Sequence, residues 1–159
     1  MNGAAVLVTG GSSGLGAAVV TAVAKAGGRP YVLDRQPPAD GVEWVECDLA
    51  DTRAAEAATR QVVERAGGLT GLVTAAGMDV PGRLADVPGE TWDRIVAINL
   101  LGTAAVVRAA LPALEATHGT VVTVASTLGV KAVSDATAYC AAKFGVVGFT
   151  RALAAETAG

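Results

Sequence analysis

Short runs of aliphatic and β-branched residues alternate along the chain with longer alanine-rich or amphipathic segments, and glycine pairs and prolines mark the joins. Ala4 to Val8 is the first apolar run and predicts a strand. Ala17 to Ala26 predicts a helix, stopped by Gly27 and Gly28. Pro30 to Asp34 and Val42 to Cys47 read as a second and a third strand, with a proline-containing loop from Gln36 to Gly41 between them. Asp51 is placed to cap a helix over 52–66. Arg53, Glu56, Arg60, Glu64 and Arg65 of that helix fall on positions expected to face water, and Gly67-Gly68 ends it. Thr70 to Ala75 predicts a fourth strand. After a mixed loop over 81–89, a long helix is expected from about Glu90 to Ala116, with Ile95, Ile98, Ala105, Val106 and Ala109 on its apolar stripe. Thr120 to Ala125 is the fifth strand, and a last helix begins near Thr137 and runs to about Thr157. Strands alternating with helices imply a parallel sheet covered on both faces. Right-handed crossovers then give an α/β, doubly wound, Rossmann-like arrangement in three layers, α/β/α.

Length and composition narrow this picture. At 159 residues the chain is expected to form one domain over 1–159. With 52% hydrophobic and 17% charged residues it is not a disordered segment. A net charge of −3 supplies no basic excess for nucleic acid or an anionic membrane surface. The most apolar region, Ile95 to Leu114, is interrupted by Asn99, Arg108 and Pro112, so a buried helix is expected there before a membrane span. Two cysteines, Cys47 and Cys140, are too few for a disulfide framework and suit a reducing, cytoplasmic setting. No His/Cys ligand cluster points to a metal.

The candidate chemistry begins after the first strand. Thr9-Gly10-Gly11-Ser12-Ser13-Gly14-Leu15-Gly16 is a glycine-rich turn between a strand and a helix, the arrangement that brings backbone amides and a helix dipole to a diphosphate. Its spacing is not the common G-x-G-x-x-G. Asp34 ends the second strand 18 residues after Gly16, near where a dinucleotide site places an acid against the adenosine ribose. A carboxylate there accepts ribose hydroxyls and repels a 2′-phosphate. The adjacent Arg35 could welcome such a phosphate, whereas Ser13 offers it no charge. On balance NAD is expected over NADP. Asn99, amid apolar residues, must either bond backbone or hold water. His118, the only histidine, reads as a helix C-terminal partner and not a catalyst. Ser126 follows the fifth strand at its carboxyl end, where open α/β sheets place ligands. Tyr139 and Lys143 are four apart and share a helix face. An ammonium beside a phenol favours the phenolate, which lets the phenol exchange a proton with a hydroxyl or carbonyl.

Taken together these pieces resemble the short-chain dehydrogenase/reductase family over essentially the whole chain. Thr9 to Gly16 matches its T-G-x-x-x-G-x-G loop, and Asp48-Leu49 looks like its adenine-contacting pair. Ile98-Asn99-Leu100 is similar to the motif carrying the family asparagine. Ser126 stands 13 residues before Tyr139, the family spacing, and Tyr139-Cys140-Ala141-Ala142-Lys143 fits Y-x-x-x-K. Ala75-Ala76-Gly77 departs from the usual N-A-G, which puts the rigidity of that turn in doubt. Relatives continue into a sixth and a seventh strand. Here strands 1–5 are expected and 6–7 are not, which would leave Val121 to Val124 as an apolar sheet edge.

The resemblance implies an NAD(H)-dependent oxidoreductase acting on a secondary alcohol or ketone, like the 3-oxoacyl-thioester reductases or the hydroxysteroid and secondary-alcohol dehydrogenases. Tyr139 would be the acid/base and Lys143 its partner and ribose ligand. Ser126 would hold the substrate oxygen, and Asn99 a relay water. Gly10, Ser12, Ser13, Gly14, Leu15, Gly16, Asp34, Arg35, Asp48, Leu49, Ala75, Ala76 and Gly77, with Tyr139 and Lys143, would bind the cofactor. Residues 79–87 and 127–136 could line the substrate pocket. The helices of Asn99 and Tyr139 would form a homodimer or homotetramer face. The alternative is a dinucleotide-binding module, or a fragment, without turnover.

Overall fold

The computed structural model describes residues 2–38 and 41–157, so Ala39 and Asp40 of the expected Gln36–Gly41 loop lie outside the described residues. Five strands, β1 (Ala5–Thr9), β2 (Arg29–Asp34), β3 (Glu43–Glu46), β4 (Gly71–Thr74) and β5 (Thr120–Thr123), form one sheet in the order β3-β2-β1-β4-β5. Every neighbouring pair is parallel. The chain winds outward from β1 to β3, then returns to add β4 and β5 on the other side. The direction therefore reverses between β1 and β4, and at such a switch point a crevice opens beyond the carboxyl ends of the strands.

The period-two alternation of β1 explains the two cores. Ala5 and Leu7 join Leu33, Leu72, Val62, Val106 and Leu114 on one face. That face is covered by α2 (Thr52–Ala66) and α4 (Thr103–Ala116), with Phe149 and Leu153 of α5 (Thr137–Thr157) packed against it. Val6 and Val8 face the other way, onto Val20 and Val23 of α1 (Gly14–Lys25) and Val32. A strand buried on both sides reads as a continuous apolar run, as β1 does. The sheet is Rossmann-like, as the strand pattern predicts. β5 is an edge strand, and its Val122 is half-exposed.

Caps behave as their residues dictate. Asp51 accepts the N–H groups of Arg53 and Ala54, both at 3.0 Å, at the start of α2. Gly67 closes that helix in the left-handed conformation at φ 71°. His118 lies just past α4, also left-handed at φ 51°, with its N–H on the Glu115 carbonyl.

Two expectations are corrected. The helix foreseen over 90–116 is α3 (Gly89–Val96), a π-helical turn at Ala97–Gly102, and then α4. A π turn inserts one residue, so the inward face downstream advances by one position. Ala110 is accordingly buried where Ala109 was expected, and Ile98 is only half-buried. Glu56 is not on the wet face of α2. It is buried against α4, bonded to Arg108 Nη2 and, at 2.9 Å, to Arg108 Nε and Arg53 Nη1. The Arg108 and Arg53 hydrogen bonds hold the Glu56 carboxyl below its ordinary range. The stretch Gly89–Ala116 is long and apolar enough to cross a membrane by length and composition. Here it places Ile95, Asn99, Val106 and Leu114 in the interior, as a core helix does.

Candidate active site

A groove of about 480 Å³ lies at the carboxyl ends of β1 to β4, over the switch point. It is built from the turn after β1, the ends of β2 and β3, and the Ala75–Met78 segment after β4. Gly10, at φ 68°, sits against that last segment. A Cβ added to it would come within 2.7 Å of Ala76 Cα, so only glycine allows the two turns to meet. Helix α1 starts at Gly14 with no side-chain cap from Ser13 and no acid in its first turn. Its positive end therefore meets the groove, at Ser13, Gly14, Leu15 and Gly16, without a compensating charge on the helix.

Asp34 lines the groove at the end of β2. Its Oδ2 accepts the Ser12 N–H at 3.0 Å and its Oδ1 the Gln36 N–H at 3.1 Å, which fixes the carboxylate. Ser12 does not line the groove itself; it acts on Asp34 and donates its hydroxyl to the Gln36 carbonyl at 2.5 Å. Arg35, Asp48 and Leu49 complete this end. Burial pushes the Asp48 carboxyl up, but the Arg94 hydrogen bond, the Ala50 N–H and the charges of Arg94 and Arg35 outweigh it and hold it below its ordinary range. Cys47, beside them, has its thiol pushed up to about 11 by burial and then by the charges of Asp48 and Asp51, so it packs as a neutral group.

At the opposite end, the Ala75–Ala76–Gly77 turn is braced from β1. Thr9 is fully buried, its carbonyl accepts the Ala75 N–H, and its hydroxyl accepts the Ala76 N–H, both at 3.2 Å. That brace stands where the missing asparagine left rigidity in doubt. Asn99, inside the π turn, donates from Nδ2 to the carbonyls of Met78 (2.7 Å) and Ile95 (2.8 Å). Its Oδ1 is buried without a partner among the described residues and lies against Gly77, where an added Cβ would stand 2.6 Å from it. Of the two roles open for Asn99, backbone bonding accounts for the amide nitrogen and leaves the oxygen as a spare acceptor.

Lys143 is buried. Its Nζ donates to the Val124 carbonyl at 2.8 Å and lies 5.5 Å from the centre of the Tyr139 ring. Burial lowers its pKa from the ordinary 10.5. One protein acceptor leaves an ammonium with donors to spare. Tyr139 is half-buried and borders a small cleft with Asp79, Val87, Trp92 and Asp135 instead of the main groove. The two flanking segments meet there: Gly82 N–H donates to the Asp135 carbonyl at 2.7 Å, and Trp92 Nε1 donates to Thr137 Oγ1 at 3.1 Å. Ser126 follows β5, and its hydroxyl accepts the Leu128 N–H at 3.1 Å. His118 lies at the opposite, amino end of β5. The residues not foreseen are Thr9 and Arg94, which act from outside the groove, and the groove-lining Leu33, Cys47, Met78 and Ile98, the last on the π turn. Arg94 carries no local signal, because its partner Asp48 is 46 residues away.

These residues fit a nicotinamide dinucleotide: a glycine cradle, an uncapped helix end, a groove-lining carboxylate fixed by two backbone N–H groups, and a spare acceptor and donor beside Gly77. The chain is 36% identical over 174 aligned positions to D-threitol dehydrogenase of Mycolicibacterium smegmatis, covering 100% of this chain and 66% of that protein. It is 35% identical over 172 positions to D-beta-hydroxybutyrate dehydrogenase of Cupriavidus necator, covering 99% and 66%. The chain thus spans about 66% of the length of these curated relatives. Its fold is similar to ligand-free aldohexose dehydrogenase of Thermoplasma acidophilum, with TM-score 0.92, 25% identity and coverage of 98% and 62%. A family model described as short chain dehydrogenase matches residues 4–159, and the chain belongs to that family.

Proposed function

We propose that this chain carries the cofactor groove and reacting groups of an NAD(H)-dependent oxidoreductase that interconverts a secondary alcohol and a ketone. The observation that carries this reading is the Tyr139–Lys143 pair, with a buried ammonium 5.5 Å from the phenol ring. The bound nicotinamide supplies hydride acceptance or donation. Tyr139 gives or takes the proton of the substrate oxygen at its Oη. Lys143 keeps a positive charge beside the phenol and bonds the cofactor ribose with its remaining donors. Ser126 holds the substrate oxygen with its hydroxyl proton, which the bond accepted from Leu128 N–H leaves free to donate. Asn99 Oδ1 serves as the acceptor for a relay water beside Lys143.

Gly10, Ser13, Gly14, Leu15 and Gly16 hold the diphosphate, and Asp34 the adenosine ribose, with Ser12 fixing it. Asp34 has both oxygens anchored to backbone, so it cannot turn away from a 2′-phosphate, which favours NAD over NADP. The names of the two curated relatives, a threitol and a hydroxybutyrate dehydrogenase, support small hydroxylated substrates as a class. Leu101 and Phe144, half-exposed on the π turn and on α5, support association through the helices of Asn99 and Tyr139.

The test is Tyr139→Phe. It should abolish turnover on a panel of secondary alcohols and leave NADH affinity within about threefold, because the phenol oxygen acts only in the proton step. Unchanged turnover removes Tyr139 from the mechanism. Saturable NADH binding by the unaltered chain with no turnover on any alcohol makes it a binding module instead.

A further inference from the structure

We infer that Arg94, which does not line the groove, is a positioning residue that sets the groove's purine end by fixing the Asp48 carboxylate. The inference rests on the reading of the groove as a dinucleotide site. Asp48 lies just beyond β3 and lines the groove with Leu49. Arg94 Nη2, from α3, donates to its Oδ2 at 2.6 Å. This is a short charge-assisted bond, of the kind that fixes geometry as well as charge. The other oxygen, Oδ1, accepts the Ala50 N–H at 3.0 Å. Both oxygens are thereby aimed, and each keeps a lone pair for an exocyclic amine such as that of a purine.

The competitor is Arg35. Its Nε stands 3.8 Å from the same Oδ2, and its side chain is 63% exposed. With Arg94 in place, Asp48 is held on the α3 side and Arg35 is a distant second partner. Without it, Arg35 is the remaining cation within reach among the described residues, and Oδ2 is released toward the ribose end of the groove while Oδ1 stays on the Ala50 N–H. The turn carrying Asp48 is also seated closely on the π turn: a Cβ on Gly102 would stand 2.6 Å from the Leu49 carbonyl oxygen. Arg94 and Gly102 thus pin the 48–49 turn to the helical segment that carries Ile98 and Asn99. The ion pair links the purine end of the groove to the element that holds the candidate relay.

The side chains of Arg94 and Asp48 are each 37% exposed, so substitution should spare the core. We would measure NADH and AMP binding to the full chain by calorimetry. The chains compared are the unaltered one, Arg94→Met, Arg94→Lys, Asp48→Asn, and Arg94→Met combined with Asp48→Asn. A positioning role predicts that Arg94→Met weakens NADH and AMP by the same factor, roughly tenfold, the effect of one lost bond to a charged group. Arg94→Lys should recover most of that loss. In the Asp48→Asn background, Arg94→Met should cost nothing further, because the group it positions is gone. Affinities within twofold of the unaltered chain for Arg94→Met overturn the role. So does an equal loss for Lys and Met, or a full additional loss in the Asp48→Asn background. If the unaltered chain binds neither NADH nor AMP, the dinucleotide reading fails and this inference fails with it.

Discussion

Thr9 and Thr74 face each other across the β1–β4 pair and differ in one respect. Both are buried, at 0% and 2% exposure. The Thr9 hydroxyl accepts the Ala76 N–H at 3.2 Å, whereas the Thr74 hydroxyl has no partner among the described residues. Valine has nearly the same shape and suits a strand, so Thr→Val at each position isolates the hydroxyl. At Thr9 the change strands the Ala76 N–H in a half-buried turn, which costs about 1–2 kcal/mol. For a chain of this size each kcal/mol moves Tm by about 2–4 °C, so Thr9→Val should lower Tm by about 2–8 °C. At Thr74 the change deletes a buried, unbonded hydroxyl, and stability should hold or rise by about 1 kcal/mol. Thermal unfolding followed by circular dichroism reads both. Thr9→Val should also weaken NADH, because Ala76 forms the groove floor against Gly10. A Thr74→Val loss equal to the Thr9→Val loss would refute the reasoning, since burial alone would then account for both.

Gly10→Ala should destabilise the chain by about 1–2 kcal/mol from its left-handed backbone alone. The 2.7 Å approach to Ala76 Cα adds to this and should cost most of the NADH affinity; fluorescence titration with a parallel melt checks both. The Glu56 carboxyl is held below its ordinary value of 4.5, chiefly by hydrogen bonds from Arg108 and then Arg53. Its contribution is therefore full above that value and lost as pH falls through the lower, folded one. Urea midpoints measured from pH 7 to 3 should fall less steeply for Glu56→Gln than for the unaltered chain, and parallel curves would contradict this.

Much of the fold was legible because its signals are local. The buried run of β1, the glycine turn, the Asp51 cap and the Gly67 stop each act within a few residues, and the five strands with α1, α2 and α5 stand within a few residues of where the pattern predicts. The misses have a common cause in long-range or irregular geometry. Apolar periodicity assumes a regular turn, so it could not register the π turn that moves the buried face from Ala109 to Ala110. Glu56 sits at a helix position that solvates well on its own, and only the approach of Arg108, 52 residues on, buries it as an ion pair. Ser12 reads as a groove residue by motif, yet its bonds go to Asp34 and Gln36. The departure at Ala75 is met by Thr9, whose hydroxyl looks like any strand threonine until β4 is laid beside it.

The proposed function requires the groove over the β1–β4 switch point to be a dinucleotide site selective for NAD(H). Its most direct test is titration of the chain with NADH and, separately, with NADPH, following nicotinamide fluorescence. Saturable binding to both or to NADH alone is expected, tighter for NADH because of the anchored Asp34. Preference for NADPH would contradict the role given to Asp34, and binding of neither cofactor would contradict the assignment of the groove.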